Sequence, residues 1–191
     1  MDNPVWNARS AFAATAPQEQ APGSSFRIER FDDASIMRLS PRPGLEPVLG
    51  LLVRNRYGII LPVGPGFAAH DGVAFIRIAP EAWMVVGVEP ASLERALGTA
   101  ASLFDWSDSR ALLRLSGFHV RDVLAKLLPI DLHPRVFGPG SAVTSRIGQI
   151  GATLWQIDAA PRYMLAVPRS YAGDALRWLL KAGAEYGAAL D

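Results

Sequence analysis

The 191-residue sequence predicts an α+β fold: two related halves of antiparallel sheet with helices packed on one side. Three observations lead there. Half the residues are apolar and only 19 % are charged, which is enough apolar mass for a core and too little charge for disorder. Pairs of β-rich runs are joined by short reversing turns. An amphipathic helical pattern then follows each pair, so that hairpin-then-helix occurs at 74–101 and again at 152–186. The turn chemistry of the two copies is similar, APEAW against AAPRY.

Residues 1–25 read as a flexible N-terminal tail, because ATAPQEQAPGSS has no apolar period. Residues 26–191 read as one α+β domain whose halves divide near residue 128, as about 26–128 and 129–191. FRIERF fits a short strand. LSPRPGLEPVLG has three prolines in seven residues and is expected to be extended or turning, wandering over a surface. Pro62 and Pro65 exclude a helix from YGIILPVGPGF. Two strands, 74–78 and 83–88, then form a hairpin across APEA. Leu93, Ala96, Leu97 and Ala100 mark a helix after Pro90.

ALLRL (111–115) is a strand, with Ser116 as the expected N-cap of a helix whose apolar face is Val120, Val123, Leu124 and Leu127. Pro129 ends it, and DLHPRVFGPG is a loop. Strands follow at 143–148, 152–157 and 163–167, then a helix over about 171–186 striped by Leu176, Leu179 and Leu180.

Charge and composition exclude several functions. The net charge is +1, so no field draws nucleic acid or an anionic membrane. Without cysteine there is no disulfide, thiolate metal site or thiol nucleophile. No apolar run reaches the roughly 20 residues of a membrane span, and no signal pattern precedes the domain, so the expected location is cytoplasmic. Nucleophile-elbow and phosphate-loop motifs are missing, and GPGF and GPGS are turns. His119, Asp131 and His133 make a three-ligand metal site conceivable; solvated, structural roles are the simpler reading. Asp32–Asp33 and Asp105–Asp108 read as caps. No catalytic, cofactor-binding or metal-binding residue is therefore assigned.

What remains points to a partner. Seventeen arginines stand against two lysines, from an interface preference or from codon usage in a GC-rich genome. Trp178 lies off the Leu176 stripe beside Arg177, as an interface anchor or as a second apolar face on the same core. Arg135, Arg169, Arg177 and Trp178 are the candidate interface residues.

Specific segments also resemble a known family. PEAWMVVG (80–87), SG…RDVLAK…IDLHP…F.PG (116–140), LWQID..P.Y (154–163) and VPRSYA (167–172) are similar to the gamma subunit of heterotetrameric sarcosine oxidase, and GIILPVGPG (58–66) more loosely so. The resemblance covers about two-thirds of the chain and little of its first 50 residues.

It implies a fold like the folate-binding domain of glycine-cleavage aminomethyltransferases. It also implies a non-catalytic subunit in a complex that oxidatively demethylates sarcosine to glycine, yielding hydrogen peroxide and methylenetetrahydrofolate. FAD, FMN, NAD, zinc and tetrahydrofolate would sit on the alpha, beta and delta subunits. Two departures stand out. The glycine-rich segment with paired acidic residues that holds folate in the aminomethyltransferases has no counterpart, and AKLLPID lacks the family's cysteine. An alternative, a stand-alone folate-binding or one-carbon-transfer protein, rests on the fold alone.

Overall fold

The computed structural model describes residues 10–12, 25–32 and 34–191. Regular structure begins with β1 (Phe26–Phe31) and β2 (Ile36–Pro41). The prolines that follow bracket a helix, α1 (Glu46–Tyr57), which corrects the extended path expected over 39–50. Pro47 sits in its first turn, where a missing N–H costs nothing. Gly58, at φ 67°, closes it in the left-handed conformation with its N–H on the Arg54 carbonyl.

Next come β3 (Phe67–His70), β4 (Val73–Ala79) and β5 (Ala82–Val86), the last two forming the expected hairpin. α2 (Pro90–Leu97) starts at Glu89, whose carboxylate accepts from the N–H groups of Ala91 and Ser92. β6 (Ala101–Asp105) went unrecognised in the sequence because ASLFD is short and has no clear alternation.

β7 (Arg110–Ser116) leads to α3 (Val120–Leu127), whose N-cap is His119 rather than Ser116. The loop 131–140 then gives way to β8 (Ala142–Ile147), β9 (Ile150–Asp158) and β10 (Arg162–Pro168). α4 (Ala172–Gly183) is followed by a 3-10 turn over 184–186 and by β11 (Ala188–Leu190).

The strands form a six-stranded sheet, β11-β1-β7-β10-β9-β8, and a five-stranded sheet, β3-β4-β5-β2-β6. Every neighbouring pair is antiparallel except β1 and β11. Side chains alternate between faces. In β10 this sends Tyr163, Leu165 and Val167 toward α3 and α4, and Met164 and Ala166 toward the other sheet. In β5, Trp83 and Val85 pack under α1 and α2, while Met84 faces inward. Ile36, Ile76 and Met84 of one sheet meet Leu112, Trp155 and Met164 of the other, so the layers run helices, sheet, sheet, helices.

The sheets do not part near residue 128. β1 belongs to the six-stranded sheet, the chain crosses at 32–35, and it returns at 106–109. The cause is a long-range pairing that no local period reveals. Ile28 lies opposite Leu115, and Arg114 grips Glu29 with Nε at 2.8 Å and Nη2 at 2.5 Å. The tail expected over 1–25 also contains an anchor. Phe12 is 1 % exposed in the six-stranded sheet's core, and Ser10 Oγ donates to Asp32 at 2.6 Å. The rest of that segment, 1–9 and 13–24, lies outside the described residues.

Candidate partner interface

The four residues singled out in the sequence do not form one patch. Arg135 is exposed on the loop 131–140, whose Phe137 stacks on Tyr163 at 6.2 Å, at the start of β10. Arg169 follows the other end of that strand, its N–H on the Ser109 carbonyl at 2.9 Å. Seven strand residues at about 3.3 Å each put roughly 20 Å between those ends.

Arg177 and Trp178 are adjacent on α4 but about 100° apart around it. Arg177 is exposed and ion-paired to Asp174. Trp178 is half-buried against the core, and its ring covers Gly148 so closely that a Cβ there would meet it at 2.5 Å. Its other edge lines a cleft of about 490 Å³ together with Lys126 and Lys181, the two lysines of the sequence. Hydrogen bonding to Glu185 raises the Lys126 pKa, with its charge adding to the effect.

The most exposed apolar surface lies elsewhere. α1 buries Leu49 and Val53 and turns Val48 and Leu51 outward. Beside it, residues 59–66 have no regular structure. Their Pro62 carbonyl accepts from Trp83 Nε1 at 3.0 Å, and the Val63 carbonyl accepts from Arg77. These bonds hold Ile60 and Val63 outward, 72 % and 87 % exposed, next to Leu51 at 59 %. Together they border an apolar cleft of about 760 Å³, rimmed by Glu46, Arg54, Arg77 and Glu81. Adjacent apolar residues in such number are uncommon on a free surface. A signal existed in the sequence: VLGLLV holds more apolar residues than one helical stripe can bury. Its surrounding prolines hid the helix.

A second feature missed in the sequence is a polar knot beneath α3. Gln156 and Tyr163 face each other across β9 and β10, and both are fully buried. Gln156 Oε1, Tyr163 Oη, Arg121 Nε and Asp158 Oδ1 are buried without a hydrogen-bond partner in good geometry. Burial pushes the Tyr163 phenol up, and the Arg121 guanidinium, 5.9 Å from its ring, opposes that shift.

The histidines have local partners, as do Asp32 and Asp105 of the acidic pairs, while Asp33 lies outside the described residues. His119 Nδ1 meets Asp122 at 2.7 Å, and its ring stacks on Tyr186 at 4.3 Å. Asp131 accepts from the His133 N–H, and His133 Nδ1 from that of Arg135. Asp105 accepts from the Ser107 N–H at 2.8 Å. Among the described residues, no three His, Cys, Asp or Glu side chains converge as a metal site. Nor is any helix there long and apolar enough to cross a membrane.

Known proteins share this architecture and part of its sequence. Residues 44–185 match the sarcosine oxidase, gamma subunit family. The chain is 32 % identical over 135 residues to sarcosine oxidase subunit gamma of Corynebacterium sp. strain P-1, covering 68 % of this chain and 66 % of that protein. With the strain U-96 counterpart it shares 34 % over 140 residues, 69 % of this chain and 67 % of the other. These matches thus span about two-thirds of the relatives' length.

In three dimensions it resembles a chain of the heterotetrameric sarcosine oxidase from Corynebacterium sp. U-96 in complex with pyrrole 2-carboxylate. The TM-score is 0.80 at 26 % identity, covering 95 % of this chain and 97 % of that one. Aminomethyltransferase T of the glycine cleavage system from Bartonella henselae has a TM-score of 0.63 at 14 % identity, over 87 % of this chain and 48 % of that one, a likeness of fold alone. The chain belongs to the sarcosine oxidase gamma subunit family.

Proposed function

We propose that the chain serves as the gamma subunit of a cytoplasmic, heterotetrameric sarcosine oxidase, and that it docks on a larger subunit through the apolar α1 face. One observation carries the assembly: the overlay, over nearly the whole of both chains, with a chain of a heterotetrameric sarcosine oxidase. The location of the face rests on Leu51, Ile60 and Val63, exposed beside a cleft with both acidic and basic groups on its rim. Such a centre with a charged rim is the usual anatomy of an interface.

In this reading the alpha, beta and delta subunits hold FAD, FMN, NAD, zinc and tetrahydrofolate. They convert sarcosine and oxygen to glycine and hydrogen peroxide, and pass the one-carbon unit to tetrahydrofolate. This chain supplies shape and contact area to that assembly and no reacting group.

Co-expression with the larger subunits tests the reading. The tagged chain is expected to retain a yellow flavoprotein that releases sarcosine-dependent peroxide, whereas the chain alone is colourless and inactive. Recovery of the tagged chain free of flavoprotein contradicts it.

A further inference from the structure

The two sheets leave a cleft of about 250 Å³ between them, where the chain crosses back at Trp106–Arg110. Ile78 and Met84 line one wall, and Thr144, Gly151 and Thr153 the other. Most of this lining is aliphatic. The polar side chains on it are Thr144 and Thr153, whose hydroxyls are 3.3 Å apart, Arg110, and Trp106 with its indole N–H.

Arg110 differs from the chain's other well-placed arginines. Arg114, Arg162 and Arg177 each hold a carboxylate, of Glu29, Asp158 and Asp174. Arg110 is half-buried, yet no carboxylate of the described residues lies within ion-pair distance. Instead its guanidinium carbon rests 4.5 Å from the centre of the Trp106 ring. Arg38, with no carboxylate of the described residues in ion-pair distance, approaches the same ring at 6.0 Å. A partly desolvated cation without a counter-ion is unfavourable, and burial lowers the Arg110 pKa with no acid opposing it.

We propose that this cleft binds a small carboxylate, gripped by the Arg110 guanidinium with its apolar body packed against Ile78 and Met84. The planar fork of arginine matches a carboxylate's two oxygens, and the Trp106 face fixes the plane of that fork. One of the two threonine hydroxyls donates to the other, which leaves a single hydroxyl proton at hand as a further donor. With a water occupying about 30 Å³ of liquid, the volume admits a small acid rather than an extended cofactor. The site is independent of the role proposed above.

Calorimetric titration of the full chain with acetate and with benzoate tests it. Saturable binding is expected, about tenfold or more weaker in Arg110→Gln. Gly151→Val provides a second variant, because Gly151 lines the cleft and a Cβ there meets nothing within 4 Å, so the added side chain narrows the cleft without a clash. It should abolish binding while leaving the melting temperature near that of the parent. Arg162→Gln should bind as the parent does.

A carboxylate of a partner subunit offers the same group, and a second arm separates the two sources. If neither acid binds the lone chain but Arg110→Gln and Gly151→Val both weaken co-assembly, the carboxylate is the partner's. Binding of benzoate that survives Arg110→Gln overturns the site. So does a chain that binds neither acid and assembles normally with both substitutions.

Discussion

α4 and α1 are both twelve-residue helices laid over a sheet, and they spend their apolar residues differently. α4 puts Ala172, Ala175, Leu176 and Leu179 fully inside and presents Arg177 and Lys181 outside, with Asp174 half-buried. Even Trp178, the residue type most typical of interface hot spots, turns its ring onto Gly148. α1 buries Leu49 and Val53 and then repeats the apolar chemistry on its outer side, with Val48 and Leu51 continued by Ile60 and Val63. The contrast teaches that residue type alone is a poor guide to a partner surface. The better guide is apolar surface in excess of what a helix's own core consumes.

Truncation inside α4 should give the largest effect. Leu176→Ala removes a fully buried side chain and is expected to cost about 2–5 kcal/mol in urea unfolding. Gly117→Ala comes next. Gly117 lies at φ 112°, and a Cβ would stand 2.2 Å from the Ser25 carbonyl oxygen, so a loss of about 2–4 kcal/mol is expected.

Leu51→Ser with Ile60→Ser inverts the pattern. The lone chain should keep its stability within about 0.5 kcal/mol per site, while affinity for the larger subunits falls about tenfold or more. Arg177→Ala should change stability by less than about 1 kcal/mol and leave assembly intact. An assembly defect there equal to that of the α1 variant would move the interface to α4.

The smallest effect concerns Glu89. Its hydrogen bonds from the Ser92 and Ala91 N–H groups lower its pKa in the folded chain. The stability it contributes is therefore complete above the ordinary carboxylate range and is lost as pH falls through the depressed value. Glu89→Gln should flatten the acid side of a stability-against-pH curve slightly.

Local periodicity disclosed what local physics determines. The helices α2, α3 and α4, and the hairpins of β4–β5 and β9–β10, all carry their own apolar period. β1 against β7 and β11 against β1 do not, since their pairing joins residues far apart in the chain. That is why the boundary between halves falls at 32–35 and 106–109. α1 was hidden for a different reason. Pro41, Pro43 and Pro47 forbid a helix through them, yet Pro47 favours one that begins there. With α1 unread, the apolar face it builds with 59–66 had no place in the sequence. Arg135 and Arg169 looked alike in the sequence and stand at opposite ends of β10.

Carbene footprinting of side chains, on the lone chain and on the co-expressed complex, addresses the docking face directly. Labelling of Leu51, Ile60 and Val63 should drop sharply on assembly, with Arg177 and Lys181 on α4 unchanged. Protection confined to α4, with the α1 face labelled equally in both samples, would contradict the account.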